Sequence, residues 1–425
     1  MSRINKTIEK NIQKIILAFI YMQPILDLTA GITQNVLKLN LTISSIIRLI
    51  FLLFCLYYIF VLNKTENKKK SIILTSIIGI YMLLFSLITI KYKDIHALSY
   101  ELKNTINTFY FPILLVSLKD MFKQYKINIK IKQLVLTYMI YIALILIPNI
   151  TNTGFKSYAI SKLGTSGWFT SANAVGNILS ILLPIIILYI LQNKKYITSI
   201  IMIISTLYVF TTMGTKVPVL SLGICILTTL LFYIIKWIKE KQNNKLIITT
   251  TSTILLTIMT IFIIPKTTFY KNIQIHKEYL GFKSYTEILT NPKLFDHFIF
   301  SERLSFLNHT QKNYTKASIS EKLIGIGYIE NYGTNEVSTK TIEIDYFEVL
   351  YRNGIIGFII FFSIFMTNIK LKKQNTLENI EINTSIALIL LLALFSGHIL
   401  ITPAVSIFVA LILIKGGTYE KTNKK

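Results

Sequence analysis

Residues 343–369 read EIDYFEVLYRNGIIGFIIFFSIFMTNI, a stretch that opens with acidic side chains and then becomes almost continuously apolar. A helix needs about 20 apolar residues to cross the hydrocarbon core of a bilayer, and this stretch is long enough. The polar sequence of residues 266–341 runs directly into it. The pattern predicts a membrane helix that follows a long polar loop, with the acidic residues at the boundary between the two.

Apolar stretches of similar length recur along the whole chain, and they predict twelve membrane-spanning helices. The predicted spans lie near residues 15–33, 44–62, 71–90, 104–121, 131–148, 172–191, 196–213, 217–236, 246–265, 343–369, 385–399 and 402–415. The 425 residues are 52% hydrophobic and only 15% charged, and the mean hydropathy is +0.56. This composition excludes a soluble domain and predicts an all-α, polytopic transmembrane protein.

The basic residues set the expected orientation. A formal net charge of +25 would suggest nucleic acid as the partner of a soluble protein. Here the lysines lie in short runs between apolar segments, so no nucleic-acid partner is expected. Loops rich in Lys and Arg stay in the cytoplasm during insertion, which places both termini there. Residues 266–341 then form one large extracytoplasmic loop, between nine spans in residues 1–265 and three spans with a cytoplasmic tail in residues 342–425.

Several motifs for cofactor and metal binding are missing from the sequence. There is no phosphate-binding glycine loop, no dinucleotide fingerprint, no Cys-x-x-Cys and no His-Glu-x-x-His. We therefore expect no cofactor and no metal. The five histidines all fall in outer loops or at outer helix ends, so the chemistry is expected outside the cytoplasm. They are His96, His276, His297, His309 and His398.

Two charged residues lie unusually deep in the first two predicted spans. Asp27 is well inside the first span, and Arg48 is only a few residues into the second. A charge inside a membrane is costly, so such residues pair with each other or line a polar cavity. One interpretation is a structural ion pair between neighbouring helices. The other makes Arg48 a phosphate contact.

Polar residues also mark the starts of the sixth and eighth spans. Lys216 stands where a helix N-terminus already favours an anion, so either it binds a phosphate or it extends its amine to the membrane surface. Residues 164–177 are rich in small and polar side chains, including Asn173. Close helix packing is the simpler reading of that segment, and a substrate contact from Asn173 is the alternative.

Three charged residues share one helical face at the entry to the tenth span. Asp345, Glu348 and Arg352 are spaced i, i+3 and i+7. Glu348 and Arg352 can neutralise each other, which leaves Asp345 without an obvious partner. An unpaired carboxylate at the edge of a membrane cavity is a candidate general base. A buried structural network of all three residues is the alternative.

The order of these features resembles the O-antigen ligase and O-antigen polymerase superfamily. The shared features are a sixth span rich in small residues, a basic residue that opens the eighth span, a long outer loop and a polar entry to the next span. In this chain they correspond to Gly167-Trp168-Phe169 with Asn173 and Gly176, Lys216, Glu302-Arg303-Leu304-Ser305-Phe306, Leu323-Ile324-Gly325-Ile326-Gly327 and Gly354-Ile355-Ile356-Gly357. The resemblance covers mainly residues 165–365.

The resemblance implies an inverting, metal-independent glycosyl transfer at the outer face of a bacterial plasma membrane. The implied fold is similar to the all-helical GT-C membrane glycosyltransferases. The implied donor is an undecaprenyl-diphosphate-linked oligosaccharide, and the acceptor is a glycan hydroxyl. By position, Arg303 and Lys216 would bind the diphosphate. Arg48 would add the phosphate contact that its place in the second span already suggests. A flippase and a chain-length regulator are the expected protein partners in the surrounding membrane lipid.

The ligases carry a His-Asn pair tied to the acceptor near the end of the outer loop. This sequence reads Thr341-Ile342-Glu343-Ile344-Asp345-Tyr346 at that place, which favours a polymerase with an acidic base. The candidate bases are Asp345, Glu343 and Glu348. Asn173, His309 and Arg352 are further candidate contacts. A ligase that attaches a finished glycan to a lipid or wall acceptor remains the alternative.

A transporter or lipid-linked oligosaccharide flippase is the alternative from a different class. Twelve spans would suit either, but transporter sites lie among broken helices in internally repeated halves. The two halves of this sequence show no matching pair of interrupted segments. A transporter also has no need of a loop of about 75 residues on one side, so glycan transfer is the favoured reading.

Overall fold

The structure is a computed structural model that describes residues 3–39, 42–158, 163–193, 195–282, 284–330, 339, 341–373 and 375–417. Within these ranges it contains seventeen α-helices. The helices of the first part are α1 (Arg3–Asn35), α2 (Ile43–Tyr57), α3 (Lys68–Lys93), α4 (Ile95–Tyr125), α5 (Ile131–Ile150), α6 (Ala172–Gln192), α7 (Tyr196–Thr212), α8 (Lys216–Lys239) and α9 (Asn243–Ile263). Those that follow are α10 (Thr268–Leu280), α11 (Thr286–Thr290), α12 (Pro292–Phe295), α13 (Arg303–Lys316), α14 (Ile319–Ile324), α15 (Asp345–Asn368), α16 (Leu377–Phe395) and α17 (Pro403–Gly417). Strands β1 (Phe155–Lys156) and β2 (Thr165–Gly167) form a small antiparallel hairpin.

Among the described residues, eight helices are long and apolar enough to cross a membrane: α1, α2 with the π-helical turn that extends it to Leu62, α3, α5, α6, α8, α15 and α16. The four other predicted spans fall in α4, α7, α9 and α17, of which α7 and α17 are apolar but only 17 and 15 residues long. All twelve predicted segments are thus helical, and a polytopic helical membrane protein is confirmed. The count of twelve spans and the GT-C-like fold remain predictions.

The centre of the bundle consists of helices that are buried on all sides. Continuous buried stretches run from Thr108 to Leu118 in α4, from Val175 to Ile186 in α6 and from Ala404 to Ile414 in α17. A helix that is apolar around its whole circumference suits such a position. Helices α3 and α7, by contrast, expose leucine and isoleucine along one face, which suits contact with lipid.

A break in α15 joins the bundle to the outer loop. Gly354 has φ 65° and ψ −179°, so it interrupts the helix and frees the carbonyl groups before it. The turn at Gly325–Gly327 supplies donors for these groups. The N–H of Ile326 donates to the carbonyl of Tyr351 at 3.2 Å, and that of Gly327 donates to the carbonyl of Arg352 at 3.1 Å. The two glycine motifs of the sequence therefore form a single structural unit.

Residues 266–341, predicted as a loop, contain the five helices α10 to α14, and residues 283, 331–338 and 340 lie outside the described part. Buried carboxylates tie this segment together and to the bundle. Glu101 of α4 accepts hydrogen bonds from the backbone N–H groups of Tyr328 at 2.7 Å and Ile329 at 2.8 Å. Asp296 accepts from the backbone of Leu304 at 2.9 Å, at the start of α13. The segment is therefore a folded cap over one end of the bundle.

The cap defines the two ends of the bundle. Lys93 at the end of α3 donates to the carbonyl of Ile329, and Lys216 at the start of α8 contacts the carbonyl of Phe298. The C-terminal ends of α4 and α8, with their lysine-rich connections, lie at the opposite end. This arrangement agrees with the predicted separation of the outer segment from the lysine-rich loops. Which end faces the cytoplasm remains a prediction.

Candidate active site

A cavity of about 630 Å³ lies among α1, α2, α4, α6 and the segment that leads into α17. Basic side chains from three parts of the chain line it: Arg48, Lys103 and His398. Its remaining wall is divided between polar and apolar residues. The polar ones include Ser44, Ser45 and Asn107, and the apolar ones include Leu49, Leu52 and Ile106. Such a cavity can hold a ligand that has an anionic group attached to an apolar chain.

Arg48 is held in the cavity wall by a polar network. Its guanidinium forms an ion pair with Asp27 at 2.5 Å and also donates to Gln23 at 3.0 Å. The second oxygen of Asp27 accepts a hydrogen bond from the hydroxyl of Tyr141 at 2.6 Å. The predicted ion pair is therefore confirmed. Because Arg48 also lines the cavity, the pairing does not rule out a phosphate contact, which stays a prediction.

His398 enters the cavity from the connection between α16 and α17. The predicted span over 385–399 is observed as Leu377–Phe395, so His398 follows the helix and does not belong to it. Its Nε2 lies 3.7 Å from Oε1 of Glu343. Both residues adopt left-handed backbone conformations, with φ of 60° and 59°. Such conformations cost non-glycine residues about 1–3 kcal/mol each and are concentrated at functional sites.

Glu343 links His398 to Arg303. The Nη2 and Nε atoms of Arg303 lie 2.8 and 3.2 Å from Oε2 of Glu343, while Nη1 donates to the carbonyl of Phe395 at 3.2 Å. Burial alone would raise the pKa of Glu343, but its contacts with His398 and Arg303 lower that pKa to about 2. Glu343 is therefore ionised at neutral pH, and its negative charge lies beside the imidazole.

The histidine responds in the opposite sense. Burial alone would lower the pKa of His398, but the neighbouring carboxylates of Glu343, Asp345 and Glu348 raise it above its ordinary value. A histidine held by a carboxylate is a stronger base than an isolated one. The pair can therefore accept a proton from a hydroxyl group bound in the cavity.

Asp345 is not the unpaired carboxylate that its sequence position indicates. The residue is fully buried, and its side chain accepts three backbone hydrogen bonds. The donors are His398 at 2.7 Å, Ile399 at 2.9 Å and Leu400 at 2.7 Å. The expectation that its charge lacks a partner is wrong, because the partners lie more than 50 residues away along the chain. Asp345 holds the segment that carries His398.

Glu348 and Arg352 are buried neighbours, but neither is the main partner of the other. Their side chains are 3.8 Å apart, whereas Arg352 lies 2.7 Å from Glu330. Glu348 instead accepts the backbone N–H of Ile342 at 2.5 Å. The predicted mutual neutralisation is thus only a minor contact. His309, an exposed residue of α13 in the cap, joins this cluster with its Nε2 2.9 Å from Glu330. His309, Glu348 and Arg352 do not line the large cavity.

Lys216 and Asn173 do not line the large cavity either. The amine of Lys216 contacts the carbonyl of Phe298 and lies 5.1 Å from the centre of its ring. It borders a separate cavity of only about 20 Å³. Asn173 is half-buried, although Ser171 and Ala174 beside it do line the large cavity. The structure thus pairs Arg303 with Glu343, whereas the described contact of Lys216 is with the carbonyl of Phe298.

The sequence of the chain matches one family of known membrane proteins. A family model described as O-antigen ligase like membrane protein matches residues 9–287 and 283–416. The chain belongs to this family. No curated protein and no solved structure gave a match. As a member of the O-antigen ligase-like family, the chain is a multi-pass membrane protein and a glycan-processing enzyme of the glycosyltransferase type. The family also implies its substrates, a lipid-linked glycan and an acceptor.

Two residues of this O-antigen ligase-like site were not identified from the sequence. The sequence gives Lys103 no predicted role, and it marks His398 only as one of the five outer histidines. The placement of every histidine on one side of the predicted membrane was the signal for His398. Nothing local marks Lys103, because its position depends on how α4 packs beside α2.

Proposed function

We propose that the chain joins lipid-linked oligosaccharide repeat units into a surface polysaccharide at the outer leaflet of the membrane. The donor is an undecaprenyl-diphosphate-linked glycan, and the transfer inverts the anomeric carbon without a metal ion. The cavity that combines Arg48, Lys103 and His398 with an apolar wall is the observation that carries this proposal. A lipid diphosphate has the matching chemistry, an anion joined to an apolar chain.

In this proposal, Arg48 and Lys103 bind the diphosphate, and Leu49, Leu52 and Ile106 contact the first units of the lipid. Fixed cations stabilise the charge that develops as the diphosphate leaves, and this needs no reorganisation during the reaction. The guanidinium of Arg48 is suited to a phosphate because it presents several donors in one plane. Two of the residues expected from the sequence, Arg303 and Lys216, contact other protein groups outside this cavity.

His398 is the proposed proton acceptor. The imidazole removes the proton from the acceptor hydroxyl while that oxygen attacks the anomeric carbon, and the bond to the diphosphate breaks with its electron pair. Glu343 stabilises the imidazolium, since the two side chains are 3.7 Å apart. Asp345 is then a positioning residue, because its carboxylate already accepts three backbone hydrogen bonds.

The polymerase is favoured over a ligase by the sequence at the end of the cap. The ligases carry a His-Asn pair in this region, and Glu343-Ile344-Asp345 stands there instead. The acceptor is therefore proposed to be a second lipid-linked glycan.

Reconstitution tests the proposal directly. Purified protein in liposomes, supplied with a labelled undecaprenyl-diphosphate oligosaccharide, should produce a ladder of lipid-linked chains that lengthens with time. Transfer of a preformed chain to a different acceptor, without a ladder, would indicate a ligase. Movement of the label between leaflets without new glycosidic bonds would indicate a flippase and contradict the proposal.

A further inference from the structure

Two adjoining cavities lie at the end of the bundle opposite the cap. One has a volume of about 260 Å³ and the other of about 140 Å³. They share the lining residues Asn67, Lys119, Asp120 and Asn368, so they adjoin each other across α4 and the end of α15. No residue of the proposed active site lines either cavity. This double cavity is therefore separate from the proposed active site.

Lysines dominate the charge of these cavities. Lys119 and Lys370 line the larger cavity with Lys123, and Lys70 lines the smaller one with Lys119. Lys119 is close enough to Lys70 and Lys370 to be repelled by both, and it is attracted by the neighbouring Asp120. Lys119 donates to the amide oxygen of Asn368 at 2.6 Å. Among the residues that the structure describes, neither Lys70 nor Lys370 forms an ion pair with a carboxylate.

Two acidic residues near the lysines offset only part of this positive charge. Asp120 is buried and accepts hydrogen bonds from Asn63 at 2.8 Å and Ser71 at 2.6 Å. Glu66 pairs with Lys123 at 3.1 Å. Because Asn63 and Ser71 are neutral, Asp120 keeps its own negative charge. The three lysines Lys70, Lys119 and Lys370 outnumber this one carboxylate, so the cluster retains an excess of positive charge, which favours an anion.

The wall beside these lysines is apolar. Leu115, Phe122 and Ile127 from α4 and the turn after it face Leu413 and Ile414 near the end of α17. A soluble anion would gain nothing from such a surface, whereas an acyl chain would bury apolar area against it. The combination of a basic rim and an apolar wall at a helix end is the chemistry that recognises an anionic phospholipid.

We propose that this double cavity binds one anionic phospholipid in the leaflet at the lysine-rich end of the bundle. The phosphate lies among Lys70, Lys119 and Lys370, and one acyl chain lies against Phe122 and Ile414. The site is distinct from the proposed glycan-transfer site and does not depend on it. By bridging α3, α4 and the segment after α15, the lipid holds together elements whose lysines repel one another.

Native mass spectrometry of the full-length protein with phosphatidylglycerol and phosphatidylcholine tests the proposal. The wild-type protein should retain one phosphatidylglycerol in preference to phosphatidylcholine. The double variant Lys119→Gln/Lys370→Gln should lose this preference by about 30-fold, the scale expected for two lysines at a membrane surface. The matched control is Lys239→Gln/Lys241→Gln, which removes the same charge from exposed positions at the same end of the bundle and should bind like wild type.

Three results would overturn the inference. The first is equal retention of the two lipids by the wild-type protein, which needs no variant. The second is an equal loss of binding in the control variant, which would mean that only net charge matters. The third is displacement of the phospholipid by millimolar inorganic phosphate, which would assign the site to a soluble anion. If the double variant does not fold, the single variants Lys70→Gln and Lys370→Gln should each weaken the preference.

Discussion

The side chain of Asp345 accepts a hydrogen bond from the backbone N–H of His398 at 2.7 Å. It accepts two further hydrogen bonds from the backbone N–H groups of Ile399 and Leu400. The first residue of α15 thereby fixes the connection between α16 and α17. The imidazole that lines the large cavity is part of that connection. The position of His398 thus depends on a carboxylate that is itself fully buried.

Asp345→Asn should destabilise the protein more than it impairs the chemistry of the folded fraction. An amide would place N–H donors against the backbone donors of the 398–400 segment, at a cost of about 1–3 kcal/mol. Thermal unfolding and turnover per mole of folded protein measure the two effects. Glu240→Gln, at an exposed position, is the control. A normal unfolding temperature with a 100-fold loss of turnover would instead make Asp345 the general base.

The pH dependence of turnover should report the Glu343–His398 pair. Because the pKa of His398 is raised and the neutral imidazole is the active form, turnover should increase as the pH rises through that pKa. Glu343→Gln removes a charge that raises this pKa. The rise in turnover should therefore occur at lower pH, while the maximal rate falls. Glu343→Asp should keep this rise near its wild-type position. Turnover that falls with rising pH would mean that protonated His398 is needed.

Arg48 can be separated from its structural role by a double variant. Arg48→Gln alone leaves Asp27 as an unpaired buried charge and should destabilise the protein by about 3–5 kcal/mol. Adding Asp27→Asn should recover most of that stability, because the buried charge is gone. Donor KM should remain at least about 10-fold raised in the stable double variant if Arg48 binds the diphosphate. Recovery of normal donor KM would leave Arg48 with a structural role only.

Arg303 should affect the catalytic rate more than donor binding. Its guanidinium contacts Glu343 at 2.8 Å and does not line the large cavity. Arg303→Ala should therefore lower kcat with little change in donor KM, and Arg303→Lys should retain part of the rate because the charge near Glu343 survives. Steady-state kinetics with a soluble donor analogue distinguishes the two constants. A large rise in KM with unchanged kcat would return the diphosphate role to Arg303.

The topology can be tested with a single introduced cysteine. Cys55 and Cys225 are both buried, so the native background of labelling should be low. A cysteine at Ser284, which is exposed on the cap, should react with an impermeant thiol reagent in intact cells. A cysteine at Lys241, at the opposite end of the bundle, should react only after the cells are opened. The reverse pattern would invert the predicted orientation.

The sequence predicted the helices well and the site only partly, for a physical reason. Apolar length is a local property, so each predicted span could be located from its own residues. The partners of Asp345 are 53 to 55 residues away, and they come together only when α15 packs against the connection after α16. The Asp27–Arg48 pair could be anticipated because its two residues lie in consecutive spans that had to face each other.

The backbone conformation of the site could not be predicted from the sequence either. Glu343 and His398 adopt left-handed conformations that favour glycine, so nothing in their identity predicts the geometry that brings them together. The glycine motifs did mark turns, but only the folded chain shows that Gly325 packs against the break at Gly354. The sequence favours a bound anion beside Lys216. In the folded chain its amine contacts the carbonyl of Phe298, which could not be foreseen because Phe298 lies about 80 residues further along the chain.

The attachment of the cap through buried carboxylates limits how the chain can be recombined with its relatives. Glu101 of α4 binds the backbone of Tyr328, and the break at Gly354 receives the turn at Gly325. In a chimaera that exchanged residues 266–341 alone, Glu101 and the carbonyl groups before Gly354 would lose the backbone N–H donors that they bind here. Domain exchange aimed at altering sugar specificity should therefore transfer α4, the cap and α15 as one unit.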